Sequence, residues 1–260
     1  MDYFDKAETW DRATLETVQL ARLKTTIQQA SRAPFYAKRL AEAGVSADNL
    51  RSLEDIRRIP FTSKDDLRSQ YPYGLATVPH SEFVRMHCSS GTTGTPVAVC
   101  YTQSDINSWA DLMARCLYMA GVRKDDVFQN MSGYGLFTGG LGIHFGAERL
   151  GCMTIPAGAG NSKRQLKLVK DFGTTVAHIL PSYALHLGTT LIEEGEDPKA
   201  LSLRIACVGA EPYTEETRRR IEALFDMKVY NSYGLSEMNG PGVASSASTR
   251  TDCISGKMPI

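Results

Sequence analysis

Residues 89–96, SSGTTGTP, concentrate hydroxyl side chains around two glycines. Glycine permits backbone conformations that turn several N–H groups toward one anion, and hydroxyls add donors that rotate to suit it. The stretch separates two short apolar runs, residues 83–86 and 97–101, and it is longer than the ~2 to 5 residues that an ordinary hairpin needs. We interpret it as a phosphate-binding loop, with a plain surface turn as the alternative.

Three kinds of phosphate site compete for this interpretation. A P-loop NTPase needs a lysine directly after the second conserved glycine of its motif, whereas Thr95 and Pro96 follow Gly94, so this class is excluded. A dinucleotide site is suggested by the glycines of SGYGLFTGG, residues 132–140, but no acid after the next predicted strand is available to hold a ribose. The third kind is a site that activates a carboxylate with a nucleotide.

Two further glycine-bearing polar segments each follow a predicted strand. They are GAEPYTEE, residues 209–216, and YGLSEMNGPGVA, residues 233–244. Open α/β sheets bind ligands at the carboxyl ends of their strands, so we expect both segments at one edge. In the second segment, Tyr233 offers a planar face, Ser236 a short donor, and Glu237 a carboxylate able to hold Mg²⁺ beside phosphate oxygens. Singly, each of these residues has an ordinary structural explanation; together, the three segments indicate a nucleotide site.

These segments must be positioned by an α/β fold. The pattern predicts a helical N-terminal region over residues 1–80, followed over residues 81–244 by a largely parallel sheet with helical crossovers. Strands are predicted at residues 83–88, 97–101, 126–131, 152–155, 175–180, 204–208 and 228–231. Residues 245–260 lose both helical periodicity and strand character, so a divergent tail is expected there.

Charge and composition exclude several classes of partner. Lys plus Arg equals Asp plus Glu, 29 against 29, so no overall field favours nucleic acid or an anionic membrane. The six cysteines form no C-x-x-C pair, which favours a reduced, cytoplasmic chain. No apolar run approaches the ~18 residues of a spanning helix, and residues 1–10 carry acids and no apolar h-region, so we expect no standard signal peptide. We expect neither a membrane nor a nucleic-acid partner.

Four motifs in order, SSGTTGTP, GYGLFTGGLGIHFGAERLG, GAEPYTEE and YGLSEMNGPGVA, resemble those of the adenylate-forming ligases, and among these the phenylacetate-CoA ligases. The likeness covers residues 2–244. It implies that ATP and Mg²⁺ convert an aryl acid, phenylacetate or a near relative, to an acyl-adenylate, and that coenzyme A then takes the acyl group. Assembly into a homodimer is left open.

The resemblance also implies roles for individual residues. The pyrophosphate end of ATP would contact Ser89, Ser90, Gly91, Thr92, Thr93 and Gly94. The adenine would be bordered by Gly209, Ala210, Glu211 and Pro212 on one side and by Asn231, Ser232, Tyr233 and Gly234 on the other. Ser236 would touch the α-phosphate and Glu237 would bind magnesium. The acid pocket would be lined by Tyr134, Phe137, Gly139, Gly140, Ile143 and His144.

A carboxylate is already an anionic nucleophile, so this reaction requires no general base. The barrier lies in bringing the carboxylate against a polyanion and in stabilising charge on the α-phosphoryl oxygens. Of the five histidines, only His144 is therefore given a role, as a catalytic polar group near the developing charge. The other four are expected to be ordinary core or surface residues.

The sequence departs from the family pattern in two places. Thr95 stands where the family's phosphate loop usually has a lysine, so backbone and hydroxyl donors would carry pyrophosphate binding. The aspartate that grips the ribose, the hinge and the lid domain with its catalytic lysine are not recognisable in residues 245–260. Our hypothesis is that the large domain is incomplete and the C-terminal lid absent, which would impair catalysis. The alternative function is a non-catalytic, nucleotide-binding remnant.

The missing lysine gives a direct prediction for ATP affinity. Thr95→Lys should tighten ATP binding by about tenfold, because one charge-assisted hydrogen bond is worth roughly 1.5 kcal/mol. Isothermal titration would measure the change, with Thr17→Lys in the predicted N-terminal helix as a control for added charge. Equal affinity of the parent chain and Thr95→Lys would contradict the assignment of this loop to pyrophosphate.

Overall fold

The computed structural model describes residues 3–89 and 95–246, together with the backbone of residues 253–255. Ser90, Gly91, Thr92, Thr93 and Gly94, which the resemblance assigns to pyrophosphate, lie outside the described residues. The chain divides into two compact units, one ending at Asp105 and one beginning at Ile106.

The first unit is mainly helical, as the sequence predicts. Its helices are α1 (Arg12–Ala30), α2 (Pro34–Glu42) and α3 (Lys64–Ser69). Asp11 caps α1 by accepting a hydrogen bond from Thr14 N at 2.8 Å, and Ser63 caps α3 by accepting one from Asp66 N at 3.1 Å. Apolar side chains of α1, α2 and the segment after α2 form one buried cluster. Its fully buried members are Leu23, Ile27, Leu40, Val45 and Leu50.

Two strands of the first unit form a sheet of their own. β1 (Phe83–Cys88) pairs antiparallel with β2 (Ala98–Thr102). The strand positions were predicted within one residue, but their assignment to the large, mostly parallel sheet is wrong. No helix separates the two strands, and parallel neighbours need a crossover of a dozen residues or more. The segment predicted to bind phosphate therefore connects two antiparallel strands.

The second unit contains a seven-stranded sheet in the order β4-β3-β5-β6-β7-β8-β9. The strands are β3 (Val127–Asn130), β4 (Met153–Ile155), β5 (Val176–Ile179), β6 (Ile205–Gly209), β7 (Lys228–Leu235), β8 (Gly240–Ser246) and β9 (Cys253–Ser255). The helices are α4 (Gln103–Met119), which begins just before the unit boundary, α5 (Thr138–Leu150), α6 (Ser162–Phe172), α7 (Pro181–Glu193) and α8 (Glu215–Phe225). β3 to β7 are parallel, which confirms the α/β class.

The end of the sheet differs from the sequence prediction. The predicted seventh strand stops at Asn231, but β7 continues to Leu235 and returns through a short 3₁₀ turn, Ser236–Met238, as the antiparallel β8. Residues 245–260 were expected to lack strand character, yet Ser245 and Ser246 end β8 and the backbone of residues 253–255 forms β9. Glycine and serine carry no apolar alternation, so these strands leave no pattern in the sequence.

The parallel strands have two differently covered faces, because successive side chains point to opposite sides. Ala177, Ile179, Ala206 and Val208 join an apolar cluster with residues of α6, α7 and α8. His178, which lies between Ala177 and Ile179, therefore faces the other side. Asn130 lies on that side too, since its side chain bonds the backbone of α5. The α5 face thus carries polar side chains at the ends of two central strands.

Among the described residues, no helix combines the length and the apolar character that crossing a bilayer requires.

An ion pair between a buried carboxylate, Asp126, and the half-exposed Arg204 joins the amino ends of the central strands. Asp126, 6% exposed, accepts hydrogen bonds from Arg204 Nε at 2.9 Å, Thr175 Oγ1 at 2.7 Å and Arg123 N at 2.7 Å. Burial raises the pKa of Asp126, but these donors, with Arg204 foremost, outweigh burial and hold the pKa below its usual value. The carboxylate therefore stays charged and links three segments.

Removing this charge should destabilise the second unit. Asp126→Asn should lower the free energy of unfolding by about 2 to 4 kcal/mol, since Arg204 and Thr175 lose their anionic acceptor. The neighbouring Asp125 is exposed, so Asp125→Asn is the matched control and should change stability by less than about 0.5 kcal/mol. Urea unfolding would measure both variants, and equal stabilities would show that the pair contributes nothing.

Candidate functional site

The candidate site lies at the carboxyl edge of the parallel strands. β3 ends at Asn130, β5 at Ile179 and β6 at Gly209, and all three run in the same direction. Ligands of open α/β sheets bind in the crevice beyond such ends. Gly209, the last residue of β6, pairs directly with Ser232 of β7, so the two segments that the sequence assigns to adenine lie side by side on adjacent strands.

The turn after β6 is held in an unusual conformation. A Cβ on Gly209 would lie 2.3 Å from Ser232 O, so only glycine lets the two strands approach here. Ala210 has φ +67°, a left-handed conformation that costs a non-glycine residue about 1 to 2 kcal/mol. Glu211 accepts hydrogen bonds from Ser182 N at 2.6 Å and Ser182 Oγ at 3.1 Å, in the first turn of α7. This pair ties the strained turn to α7, while Pro212 next to it is exposed.

The strand and hairpin that follow carry the remaining nucleotide candidates. Asn231, Ser232, Tyr233 and Gly234 all belong to β7, and the Tyr233 side chain is half-exposed. A Cβ on Gly234 would lie 2.3 Å from Gly240 O across the hairpin. Ser236 and Glu237 occupy the short turn directly after β7 and are both partly buried. The turn therefore presents a hydroxyl and a carboxylate beside the strand that carries Tyr233.

The Asn130 side chain links several segments of the α5 face. Its amide Nδ2 donates to Gly140 O at 2.8 Å, at the start of α5. Its Oδ1 accepts from Ser132 N at 3.2 Å and from Ser132 Oγ at 2.8 Å, and it lies 2.9 Å from His178 Nδ1. Its backbone O also accepts from Gly158 N at 3.0 Å, after β4. One buried amide thus fixes the loop after β3, the start of α5 and the His178 ring.

These contacts determine the His178 tautomer. A carbonyl oxygen, Gly140 O, faces one side of the Asn130 amide and a backbone N–H faces the other, so the amide orientation is fixed. Because Oδ1 can only accept, His178 Nδ1 must carry the hydrogen that lies between them. Burial lowers the pKa of His178 to about 4, so at neutral pH the ring is uncharged. Its Nε2 then presents a lone pair.

A second hydrogen-bonded chain runs along the surface of α5. Tyr134 Oη lies 3.0 Å from His144 Nδ1, and His144 Nε2 lies 3.1 Å from Glu148 Oε1. A neutral His144 that donates from Nε2 to the carboxylate accepts the Tyr134 hydroxyl at Nδ1. Burial raises the pKa of Tyr134, so its hydroxyl stays protonated and able to donate. The chain fixes the orientation of the Tyr134 ring.

The other acid-pocket candidates lie around the start of α5. A Cβ on Gly140 would lie 2.3 Å from Gly133 O, whereas open space surrounds Gly139. Phe137 precedes α5 and is 59% exposed, while Ile143 is 1% exposed and belongs to the core. The structure therefore gathers Tyr134, Gly140 and His144 around Asn130, with Ile143 buried on α5 and Phe137 at the surface.

Ser89 is the phosphate-loop candidate that the structure describes. Ser89 N donates to Val97 O at 2.9 Å, and Ser89 Oγ accepts from Val97 N at 2.9 Å. These two bonds close the base of the loop in the first unit.

Sequence reasoning missed four residues of the second unit that organise this edge: Asn130, Ser132, His178 and Ser182. Asn130 and His178 did leave a signal, because each is a polar residue within or at the end of a short, otherwise apolar run. Polar residues in buried strands need partners, so such positions point to hydrogen-bonded clusters. Ser182 left none, since serine at the start of a helix is common.

Comparison with known proteins identifies a family and several relatives that this chain resembles. The family model for AMP-binding enzymes matches residues 13–257. A phenylacetate-coenzyme A ligase of Pseudomonas putida is 48% identical over 241 residues, which are 92% of this chain and 55% of that protein. The phenylacetate-coenzyme A ligase of Escherichia coli K12 is 44% identical over 250 residues, 95% of this chain and 57% of that protein. The chain thus spans little more than half the length of these curated relatives.

Solved structures show the same partial coverage. A 2-hydroxyisobutyryl-CoA ligase in complex with 2-HIB-AMP and CoA superimposes with a TM-score of 0.87 at 31% identity. The match covers 94% of this chain and 54% of the ligase. A benzoate CoA ligase from Burkholderia xenovorans LB400 matches with a TM-score of 0.54 at 18% identity, a likeness of fold alone.

His178 should make stability sensitive to acid. Its pKa is about 4 in the folded chain against 6.5 ordinarily, so between these values the unfolded chain binds more protons. Lowering the pH from about 7 to about 4 should therefore remove roughly 3 kcal/mol of stability through this ring. His178→Asn keeps an N–H donor beside Asn130 but does not titrate, so its unfolding free energy should fall less over this range.

Urea unfolding at a series of pH values would test this expectation. His186→Asn is the control, because His186 is exposed on α7. If His178→Asn and the parent chain lose the same stability between pH 7 and pH 4, the buried neutral ring is not the cause.

Proposed function

The chain belongs to the AMP-binding enzyme family, and from this membership we propose that it activates an aryl acid with ATP. The acid, phenylacetate or a close relative, would become an acyl-adenylate, and coenzyme A would then take the acyl group. The observation that carries the proposal is identity of 44 to 48% to phenylacetate-coenzyme A ligases over more than nine-tenths of the chain. The pairing of Gly209 with Ser232 supports it, since it places the two segments assigned to adenine beside each other.

We assign the adenine to the space between the turn after β6 and the end of β7. Gly209 and the strained Ala210 bring main chain close to a planar ligand without a large side chain. The half-exposed ring of Tyr233 offers a face for stacking on the other side. Glu211 is already bonded to Ser182, so its role is to hold the turn in position rather than to contact the base directly.

Glu237 is the residue that we assign to Mg²⁺. Within the described ranges, no three acidic, histidine or cysteine side chains gather into a metal cluster. Magnesium that arrives with nucleotide phosphates needs only one or two protein carboxylates, because phosphate and water oxygens complete its shell. The partly buried carboxylate in the turn after β7 fits this requirement. When bound, the ion would supply positive charge at the phosphates, and Ser236 would donate to the α-phosphate.

We assign the acid to the start of α5. Tyr134 is fixed there by His144, and open space lies where Gly139 has no side chain. An aromatic ring beside glycines can receive a planar aryl group. The carboxylate of the acid is the nucleophile, so the residues need only orient it toward the α-phosphorus and exclude water.

Pyrophosphate release tests this function. With ATP, Mg²⁺ and phenylacetate, the chain should release pyrophosphate. Glu237→Gln should slow the release by about 100-fold, because losing roughly 2.7 kcal/mol of charge stabilisation in the transition state lowers the rate by that factor. Glu216→Gln, in the exposed first turn of α8, is the matched control and should behave as the parent. Full activity of Glu237→Gln would refute the magnesium assignment.

The same experiment separates catalysis from binding alone. A nucleotide-binding module would gain thermal stability from ATP, because a ligand that binds only the folded state stabilises it. If ATP raises the melting temperature while no acid supports pyrophosphate release, the chain binds nucleotide without turnover and the proposed catalysis is wrong.

A further inference from the structure

His178 is the buried polar group that the proposed reaction does not use. It is 8% exposed and lies near the carboxyl end of β5, a central strand of the sheet. Its ring faces α5, because its strand neighbours Ala177 and Ile179 face the opposite side. The Asn130 amide that holds His178 also holds Gly140, at the start of α5. The ring therefore lies next to the segment that we assign to the acid.

The ring presents one unused hydrogen-bonding atom. Nδ1 donates to Asn130 Oδ1, so Nε2 of the neutral ring is an acceptor. Within residues 3–89 and 95–246, no donor reaches His178 Nε2. Ser132 Oγ, also buried, donates to the same Asn130 oxygen and lies 3.0 Å from His178 Nδ1. Nε2 is therefore the ring atom that a ligand at this edge could pair, and covering it with a ligand that lacks a donor would cost free energy.

The chemistry of the ligands limits what can supply that donor. The carboxylate of the acid and the phosphates of ATP are acceptors only, and an unsubstituted phenyl ring has no donor at all. The nucleotide's own donors belong to the ends of β6 and β7, where we assign adenine. A hydroxyl group on the acid is therefore the donor that the position of His178 favours.

We propose that His178 is a specificity-determining residue that accepts a hydrogen bond from a hydroxyl group on the acid. The substrate class would then be hydroxy-substituted aryl acids rather than phenylacetate itself. This inference rests on the proposed function, because it requires the acid to bind beside α5. A site built around a buried acceptor discriminates against an analogue that leaves the acceptor unpaired, by much more than it discriminates on size.

A panel of acids tests the proposal by pyrophosphate release. It contains phenylacetate, the 2-, 3- and 4-hydroxyphenylacetates, mandelate, and the matching methoxy acids, which carry the oxygen without the donor. One hydroxy acid should exceed both phenylacetate and its own methoxy analogue in kcat/KM by about tenfold or more. Equal values for phenylacetate and every hydroxy acid would overturn the inference while leaving the proposed function standing. No release with any acid would mean that the proposed function itself has failed.

A matched pair of variants isolates the acceptor. His178→Asn places an N–H donor near Asn130 but has no atom where Nε2 lies, so the ratio of kcat/KM for the hydroxy acid to kcat/KM for phenylacetate should fall to about one. His186→Asn, on the exposed surface of α7, should keep the parent's preference. An unchanged preference in His178→Asn would show that another group reads the hydroxyl.

Nitrogen NMR of the chain labelled with ¹⁵N-histidine gives a second readout. If the role of His178 were purely structural, its Nε2 chemical shift would not respond to a hydroxyl group on the acid. The unprotonated Nε2 resonance, assigned by its loss in His178→Asn, should shift when the preferred hydroxy acid is added with AMP. Phenylacetate with AMP should leave it in place. A shift produced by AMP or by coenzyme A alone would identify a different donor and overturn the proposal.

Discussion

The arrangement of the α5 face depends on the Asn130 side-chain amide, which has a hydrogen-bond acceptor at its nitrogen and a hydrogen-bond donor at its oxygen. A backbone carbonyl fixes the nitrogen and a backbone N–H fixes the oxygen, so the side chain has a single orientation. In that orientation, the amide holds the loop after β3, the start of α5 and the His178 ring in place by hydrogen bonds. Because Asn130, Ser132, Gly140 and His178 are all buried, a rotation of the amide would leave several of their polar groups unsatisfied at once.

The edge that we assign to the nucleotide, at the ends of β6 and β7, is organised by close backbone approach. Glycine at positions 209 and 234 lets main chain pack directly against main chain, where any side chain would collide with a carbonyl oxygen. The left-handed Ala210 between them costs free energy that the bonds from Ser182 to Glu211 help to offset. Strain held by its surroundings is characteristic of sites that must keep one shape for a ligand. The turn after β6 is therefore formed before a ligand arrives.

The sequence predicted most of the elements but less of their pairing. Helical periodicity and caps located the N-terminal helices, and apolar runs located β3 to β6 within one or two residues. Pairing depends on neighbours that a local pattern does not contain, so the separate β1–β2 sheet was not anticipated. The β7–β8 hairpin was read as loop, because Gly234, Gly240 and Ser245 gain strand geometry from their partner strand rather than from propensity. Hydrogen-bond partners could not be predicted either: a polar residue in an apolar run marks His178, but its contact with Asn130 is visible only in the structure.

A tryptophan of α4 packs against the same hairpin and can report on its position. Trp109 of α4 is one of two tryptophans, is 1% exposed, and donates from Nε1 to Pro241 O at 2.9 Å. Its indole fills space that Gly142 and Gly240 leave free, since a Cβ on either would come within 2.7 Å of Trp109 Cζ2. Displacement of β8 by even a fraction of an ångström would alter the polarity around this ring, so its fluorescence emission would register the displacement without an added label.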